Sequence, residues 1–395
     1  MDLGEVLRIV KKNTSYFFPE EEFVEKYRAF AEGRRGPLRV KFGADPTRPD
    51  LHLGHYVSLR KLKDLQDLGF EIIIIIGDFT AMIGDPSGRS KARPRLTPEE
   101  VKANAKTYFE QVFRVLDARR TRVEYNSTWL SKLTPQDIIE LSARYTVSRM
   151  LERDDFHKRM EAQEPIYIHE FLYPLFQAYD SVHLRADMEV GGQDQVFNFA
   201  LTRDIQKAYG QEPEIILTVP LLIGLDGVKK MSKSENNYIA FNDSPEDMYG
   251  KVMSIRDELM EDYYRLVLYY DEDRMAEIRK LIERDPLRAK ERLAYEITRI
   301  FHGEEGARRG REHFNRVFRK RDLPDDIPVL RTDEPVKLSE ALLMGGLVKS
   351  RNEFRRLLSQ GSIRIDGQKV FEDKLIDRST VVRVGKRRFL KIELS

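Results

Sequence analysis

Glu71-Ile72-Ile73-Ile74-Ile75-Ile76 is the stretch that decides the architecture. Five consecutive isoleucines are apolar on both alternating faces, as a central parallel strand covered by helices on each side must be. Upstream, Leu38 to Phe42 reads as a second strand. Between the two, Leu59, Leu62 and Leu65 recur at helical spacing, and Gly69 supplies a stop. The predicted fold class is therefore α/β: a doubly wound, Rossmann-like parallel sheet with ligands at the carboxyl ends of its strands.

Working outward, the alternation of strand-like and helical patterns runs from about residue 38 to 240. This predicts a catalytic domain over 1–243, with a helical, polar insertion around 116–162. From 244 to 320 strand signals fade, and amphipathic charged segments such as Asp273 to Arg284 and Leu287 to Phe301 predict a small helical domain. Arg321-Asp322-Leu323-Pro324-Asp325-Asp326-Ile327-Pro328 opens an expected linker over 321–334, because its prolines and acids suit neither helix nor sheet. The remainder, 335–395, reads as a small α+β domain. Leu338 to Leu347 and Asn352 to Leu358 are its helices, and Ile363 to Val370 is a hairpin turning at Asp366-Gly367.

The formal net charge of the 395 residues is only +2, but its distribution is uneven. Pro335 to Ser395 holds 14 lysines and arginines against 7 acids, leaving 54 against 59 elsewhere. A basic appendage on a mildly acidic body points to a nucleic-acid contact at that end. There is no cysteine, which excludes disulfides, thiolate zinc sites and thiol catalysis and fits a cytoplasmic location. The start, Met1-Asp2-Leu3-Gly4-Glu5, lacks a basic-then-apolar signal pattern, and Ile72 to Ile76 is far too short to span a bilayer, so no membrane partner is expected.

Two short strings carry the chemistry. Leu51-His52-Leu53-Gly54-His55 follows a turn-forming Asp45-Pro46-Thr47-Arg48-Pro49-Asp50 and should start the helix of Leu59, Leu62 and Leu65. A helix N-terminus favours phosphate, and Gly54 would let a nucleotide approach closely. Lys230-Met231-Ser232-Lys233-Ser234 follows the apolar run Ile215 to Leu225 and the turn Asp226-Gly227. Its ammonium and hydroxyl groups could close over a triphosphate. Read alone, the first is a helix start with two surface histidines and the second a solvated basic turn.

Together and in this order, the strings resemble the two ATP-handling signatures of class I aminoacyl-tRNA synthetases. Tyr173, Gln177 and Asp180, spaced to share one helical face with Pro174 in its first turn, narrow the resemblance. With Gly191-Gly192-Gln193-Asp194-Gln195 and Gly84-Asp85-Pro86-Ser87-Gly88, they resemble the bacterial type of tyrosyl-tRNA synthetase over nearly the whole chain.

That resemblance implies the following roles. Asp180 accepts from the substrate phenol, Tyr173, Gln177 and Asp85 hold its ammonium group, and Gln195 lies near its carboxylate. Asp45 helps position the substrate, and Lys41 stands where many relatives carry a tyrosine that touches the phenol. Glu189 likewise stands where many carry glutamine. Thr47 and His52 face the outer phosphates, His55 contacts the nucleoside, and Asp194 with Gly192 meets the ribose. The segment Lys230 to Ser234 closes on ATP, with Lys230 and Lys233 catalytic.

ATP is expected as a substrate accompanied by Mg²⁺, with no prosthetic group and no metal site built from protein ligands. The helical domain corresponds to an anticodon-binding domain. The tail resembles an S4-type RNA-binding domain, with Arg351, Arg355, Arg356, Arg364, Lys369, Lys386, Arg387 and Arg388 facing tRNA(Tyr). A homodimer through the insertion is also implied. The residues leave three other readings open: a tryptophan-activating relative, an RNA-binding protein without adenylate chemistry, and a nucleotidyltransferase with the same paired histidines.

Overall fold

The computed structural model describes residues 1–46, 49–87, 97–321, 327–366, 368–385 and 388–394. Thr47, Gly88, Gly367, Lys386, Arg387 and residues 322–326 of the expected linker lie outside the described residues. Two compact units result, Met1–Arg311 and Glu312–Ser395.

The first unit is built on a six-stranded sheet: β1 (Tyr16–Phe18), β2 (Arg39–Ala44), β3 (Glu71–Ile76), β4 (Thr121–Tyr125), β5 (Met188–Gly192) and β6 (Ile215–Val219). Their order is β1-β6-β5-β2-β3-β4, and all pairs are parallel except β1 on β6. The isoleucine run is β3, inside the sheet, and Ile72 to Ile76 are each at most 1% exposed. The chain steps from β2 to β3 and β4, then returns to β5 on the other side of β2. The topological switch point therefore falls between β2 and β5, where this class of sheet opens a crevice at the carboxyl ends of its strands.

Two segments differ from the expectation. Thr121–Tyr125, expected within a helical insertion, forms β4, the edge strand against β3. Its mixed Thr-Arg-Val-Glu-Tyr composition is that of an edge, where residues stay partly open to water, and so lacks the apolar signal of a central strand. The helices Ser127–Leu130, Pro135–Ser142, Val147–Met150 and Asp154–Glu161 follow it. Trp129, Phe156, Leu175 and Leu201 join Ile73 and Ile75 in one hydrophobic core, so the insertion is packed onto the sheet.

Residues 245–311 are helical, as expected: Pro245–Ser254, Met260–Leu266, Glu272–Arg284 and the helix beginning at Pro286. Gly303, at φ +67° and ψ −176°, kinks that last helix, and only glycine adopts such a conformation without strain. Within the unit, Tyr263 donates to the Ile223 carbonyl at 2.7 Å, tying this segment to the approach of the lysine string.

The second unit contains β7 (Val329–Thr332), β8 (Val336–Lys337), helices Leu338–Met344 and Arg351–Ser359, then β9 (Ile363–Ile365), β10 (Gln368–Lys369), β11 (Leu375–Ile376), β12 (Thr380–Val384) and β13 (Arg388–Leu394). β10-β9-β12-β13-β7 form a five-stranded sheet, and β11-β8 a second, two-stranded one. The helix pair packs on the five-stranded sheet through Leu338, Leu342, Phe354, Ile363, Val382 and Ile392. Val329–Thr332, expected as linker, instead runs parallel to β13. Its two polar residues, Arg331 and Thr332, hide a four-residue edge strand from sequence reading.

Candidate active site

His52 caps the helix Leu53–Asp67. Its Nδ1 accepts the Gly54 N–H at 3.1 Å, and its own backbone N–H donates to His55 Nδ1 at 3.2 Å. With Nδ1 an acceptor in both rings, a neutral imidazole carries its hydrogen on Nε2. Both are held neutral. Burial, with Lys233 and Lys230 nearby, lowers His52 to about 3. Burial, His52 and Lys233 keep His55 well below the ordinary imidazole range. The result is a pair of Nε2–H donors at a helix N-terminus, suited to phosphate oxygens. Gly54 has a local reason that sequence reading does not give. A Cβ there would lie 3.0 Å from the His52 ring, so the capping imidazole would have to give by a few tenths of an ångström.

The lysine string is held on both sides. Lys230 pairs with the Asp194 carboxylate, and Lys233, 6% exposed, donates to the Tyr108 hydroxyl. Asn237 stitches the loop: its Oδ1 accepts from Ser232 N–H at 2.8 Å, while its Nδ2 donates to Asp226 at 2.7 Å and to the Lys230 carbonyl at 3.1 Å. Ser232 and Ser234 share a hydroxyl hydrogen bond of 2.8 Å, and Met231 is buried.

Tyr173, Gln177 and Asp180 share one face of the helix Ile168–Leu184. Pro174 is not in the first turn, as the sequence suggests, but inside the helix. It removes one i→i−4 donor there, a cost that burial of the helix against the core has to offset. Asp180 is buried and accepts from Trp129 Nε1 at 2.7 Å and Asn126 Nδ2 at 3.2 Å. Burial raises its carboxyl to about 7, against the pull of Lys41 and those two donors. Tyr173 OH donates to Asp45 Oδ2 at 2.9 Å, and Thr80 holds the other oxygen at 2.8 Å. Gly77 is required beside them, since a Cβ would meet Asp45 Oδ1 at 2.1 Å.

Lys41 lies on the cavity wall, but its ammonium points at protein groups. Nζ donates to the Gln177 carbonyl at 3.0 Å and Ser181 Oγ at 2.6 Å, and pairs with Glu189 at 2.9 Å. Those contacts use all three of its hydrogens, so Lys41 braces the pocket helix and donates to no phenol in this arrangement. Lys41 and Glu189 are register partners on β2 and β5, which puts them on one face. Burial works against the Lys41 ammonium, but Glu189, Glu214 and Asp180 outweigh it and raise its pKa. Glu214, also fully buried, is pushed well above the usual carboxylate range by burial and by Glu189.

One cavity of about 560 Å³ at the switch point unites these groups. Every described residue expected to touch the amino acid or ATP lines it: Lys41, Asp45, His52, Gly54, His55, Asp85, Tyr173, Gln177, Asp180, Gly192, Asp194, Gln195 and Lys230 to Ser234. Sequence reading misses Thr80, Tyr108, Asn126 and Trp129. Asn126 was findable, because it follows β4 at the carboxyl edge where ligands bind, had that strand been recognised. Trp129 and Tyr108 carry no local signal.

In the second unit, Arg351, Arg355, Arg356, Arg364, Lys369 and Arg388 are exposed. Arg388 donates to the Leu347 carbonyl at 2.7 Å and pairs with Glu353 at 3.3 Å, so part of its role is structural. Lys369, Arg364 and Arg383 are register partners across β10, β9 and β12. Like charges directly opposite one another destabilise a sheet. Arg383 also donates from Nε to the Gly385 carbonyl at 3.0 Å and lies 5.4 Å from the centre of the Phe389 ring. Arg383 is not among the expected contacts, because only strand register brings it beside Arg364.

The family described as tRNA synthetases class I (W and Y) matches residues 33–319. The tyrosine–tRNA ligase of Thermotoga maritima is 52% identical over 394 residues, covering 98% of this chain and 97% of that one. That of Aquifex aeolicus is 49% identical over 392 residues, covering 98% of each. The crystal structure of the Archaeoglobus fulgidus tyrosyl-tRNA synthetase complexed with L-tyrosine superposes with a TM-score of 0.63 at 25% identity, covering 78% of this chain and 100% of that one. The chain belongs to the class I tRNA synthetases of the tryptophan and tyrosine family, in its bacterial tyrosine–tRNA ligase branch.

Proposed function

We propose that the chain activates L-tyrosine with ATP, forming tyrosyl-adenylate and pyrophosphate, and then transfers the tyrosyl group to the terminal adenosine of tRNA(Tyr). The observation that carries this reading is the single cavity joining the neutral histidine pair and the lysine string to a buried carboxylate, Asp180.

In the first step the tyrosine carboxylate attacks the α-phosphate, and charge builds on the phosphoryl oxygens and on departing pyrophosphate. His52 and His55 donate to phosphate from Nε2 without titrating, while Lys230 and Lys233 supply the positive potential. Thr47 joins them by resemblance. Asp194 exchanges Lys230 for the ribose hydroxyls, beside the backbone of Gly192. Asp85, Tyr173 and Gln177 receive the ammonium group and Gln195 the carboxylate end, with Asp45 holding Tyr173 in place. No protein nucleophile takes part. Mg²⁺ enters with ATP as part of the substrate, bound by phosphate oxygens and water.

ATP–pyrophosphate exchange with tyrosine, tryptophan or phenylalanine added singly tests this. Exchange with tyrosine alone is expected. Exchange with tryptophan alone would overturn the pocket reading, and none with any of the three would overturn adenylate formation.

The Lys369, Arg364 and Arg383 rung, with the arginines of the helix Arg351–Ser359, is the proposed tRNA phosphate contact. Removing one cation from a phosphate lowers the slope of log K against log salt by about 0.7–0.9. Arg364→Gln with Arg383→Gln should therefore weaken tRNA binding and lower that slope by roughly twice this amount, leaving pyrophosphate exchange unchanged. An unaltered salt slope would remove the rung from the interface.

A second copy of the chain is the proposed partner of the insertion. Ile139 and Val147 there, and Ile168 just beyond it, are 70, 61 and 82% exposed, apolar side chains that a second copy would cover. Among the described residues no helix is long and apolar enough to cross a membrane.

A further inference from the structure

Three amides and two carboxylates crowd the end of the cavity expected to read the substrate's ammonium group. An amide can turn either its oxygen or its nitrogen to a neighbour, so something must decide each orientation. Arg153, which precedes the helix Asp154–Glu161, is 3% exposed and carries donors only. Its Nε and Nη2 grip Asp155 at 3.0 and 3.1 Å, which fixes the plane of the guanidinium. Phe156 and Phe197 lie 4.9 and 5.4 Å from its centre.

From that plane two arms reach into the pocket. Nη1 donates to Asn198 Oδ1 at 2.8 Å, and Nη2 to Ser87 Oγ at 3.1 Å. Because Asn198 must face the arginine with its oxygen, its Nδ2 faces the other way. There it donates to Gln177 Oε1 at 2.9 Å and Gln195 Oε1 at 3.0 Å. Both glutamines are thereby turned, nitrogen outward, toward acids: Gln177 donates to Glu189 at 3.1 Å and Gln195 to Asp85 Oδ2 at 3.0 Å. The other arm ends at the same carboxylate, since Ser87 N–H donates to Asp85 Oδ1 at 2.8 Å. One oxygen of Asp85 thus meets an amide turned by Arg153 through Asn198, and the other meets the backbone of Ser87, whose hydroxyl Arg153 holds.

We infer that Arg153 is a positioning residue for ammonium recognition: acting through Asn198 and Ser87, it sets the orientation of Gln177, Gln195 and Asp85. This rests on the tyrosine reading of the pocket. Reversing Asn198 would point both glutamine oxygens at carboxylates and drive Asp85 off its place. A lysine could reach some of these acceptors, but it could not hold Asp155 and both arms in one plane.

The test compares two fragments of the substrate as competitive inhibitors of tyrosine-dependent exchange: tyramine, which keeps the ammonium group, and 3-(4-hydroxyphenyl)propanoate, which lacks it. In Arg153→Met the inhibition constant of tyramine and the KM of tyrosine are expected to rise about tenfold or more. The propanoate keeps the carboxylate that Gln195 meets and should weaken by a clearly smaller factor than tyramine, while the KM of ATP should stay within about twofold. Because Arg153→Met strands Asp155 and could unfold locally, Asn198→Asp serves as a second variant. It keeps the bond to Arg153 and replaces the donor facing the glutamines with an acceptor, so the same selective loss is expected. Arg153→Lys should recover part of the tyramine affinity. Equal weakening of both fragments, or none, in Asn198→Asp would overturn the inference and leave Arg153 a packing residue. Failure of the unaltered protein to exchange with tyrosine would be a different result, removing the substrate reading and this inference with it.

Discussion

Lys233→Ala is expected to slow tyrosyl-adenylate formation by roughly 10²-fold or more, while tyrosine affinity changes less than twofold. The reason lies in where the ammonium group sits. Lys233 is buried at the cavity wall beside the Tyr108 hydroxyl, 4.9 Å from the centre of the Tyr108 ring. Its charge is already partly removed from water, so its attraction for a phosphate is weakly screened and grows as the transition state accumulates negative charge. Ground-state tyrosine binding does not use it. Single-turnover measurement of adenylate formation reads the effect directly, and an unaltered forward rate would take Lys233 out of the mechanism. Because His52 and His55 are neutral far above their lowered pKa values, no imidazole titration should appear in the pH profile of this step near neutrality.

Asp180→Asn is expected to lower the ratio of kcat/KM for tyrosine over phenylalanine by about 10- to 150-fold, the equivalent of roughly 1.5–3 kcal/mol for a hydrogen bond to a charged group. Trp129 and Asn126 each donate to one carboxylate oxygen, leaving lone pairs on both for a phenol hydrogen. Asparagine keeps the size but offers one acceptor oxygen, so an amide N–H must face one of these donors or the substrate. An unchanged ratio would move hydroxyl recognition away from Asp180. The same carboxyl predicts the pH dependence. Below about 7 it becomes protonated in the free protein, so kcat/KM for tyrosine should fall toward acid, and Asp180→Asn should flatten that limb.

Stability runs the other way. The folded pKa lies above the ordinary value of 3.8, so between 3.8 and about 7 the folded state binds more protons than the unfolded one. The contribution of Asp180 to stability therefore declines as pH rises through that window. Asp180→Asn should melt at a higher temperature than the unaltered protein at pH 8, a trade of stability for recognition. A lower melting temperature at pH 8 would contradict the buried-charge argument.

Much of this is legible in one dimension because it depends on short-range chemistry. The isoleucine run names a central strand, since only a doubly covered strand tolerates apolar residues on both faces. His52 to His55 and Lys230 to Ser234 can be placed at a helix start and in a basic loop because both are local objects. Tyr173, Gln177 and Asp180 can be placed on one face from helical periodicity alone. What escapes is whatever depends on neighbours distant in sequence. β4 and β7 are edge strands whose mixed composition matches their half-solvated position and so resembles loop.

Lys41 reads in sequence as a candidate phenol donor, and only the register of β2 beside β5 sets it against Glu189 and gives its hydrogens to the pocket helix. Arg383 gains its place beside Arg364 the same way. The local sequence carries the fold class, the helix start at His52, the basic loop at Lys230 to Ser234 and the shared face of Tyr173, Gln177 and Asp180, because each depends on residue types at short spacing. The family follows from the resemblance of those strings. The tertiary structure alone decided which of those groups are neutral, which are already paired, and which way each amide points. Those properties arise from burial and from contacts between segments far apart in the chain, and no local pattern encodes them.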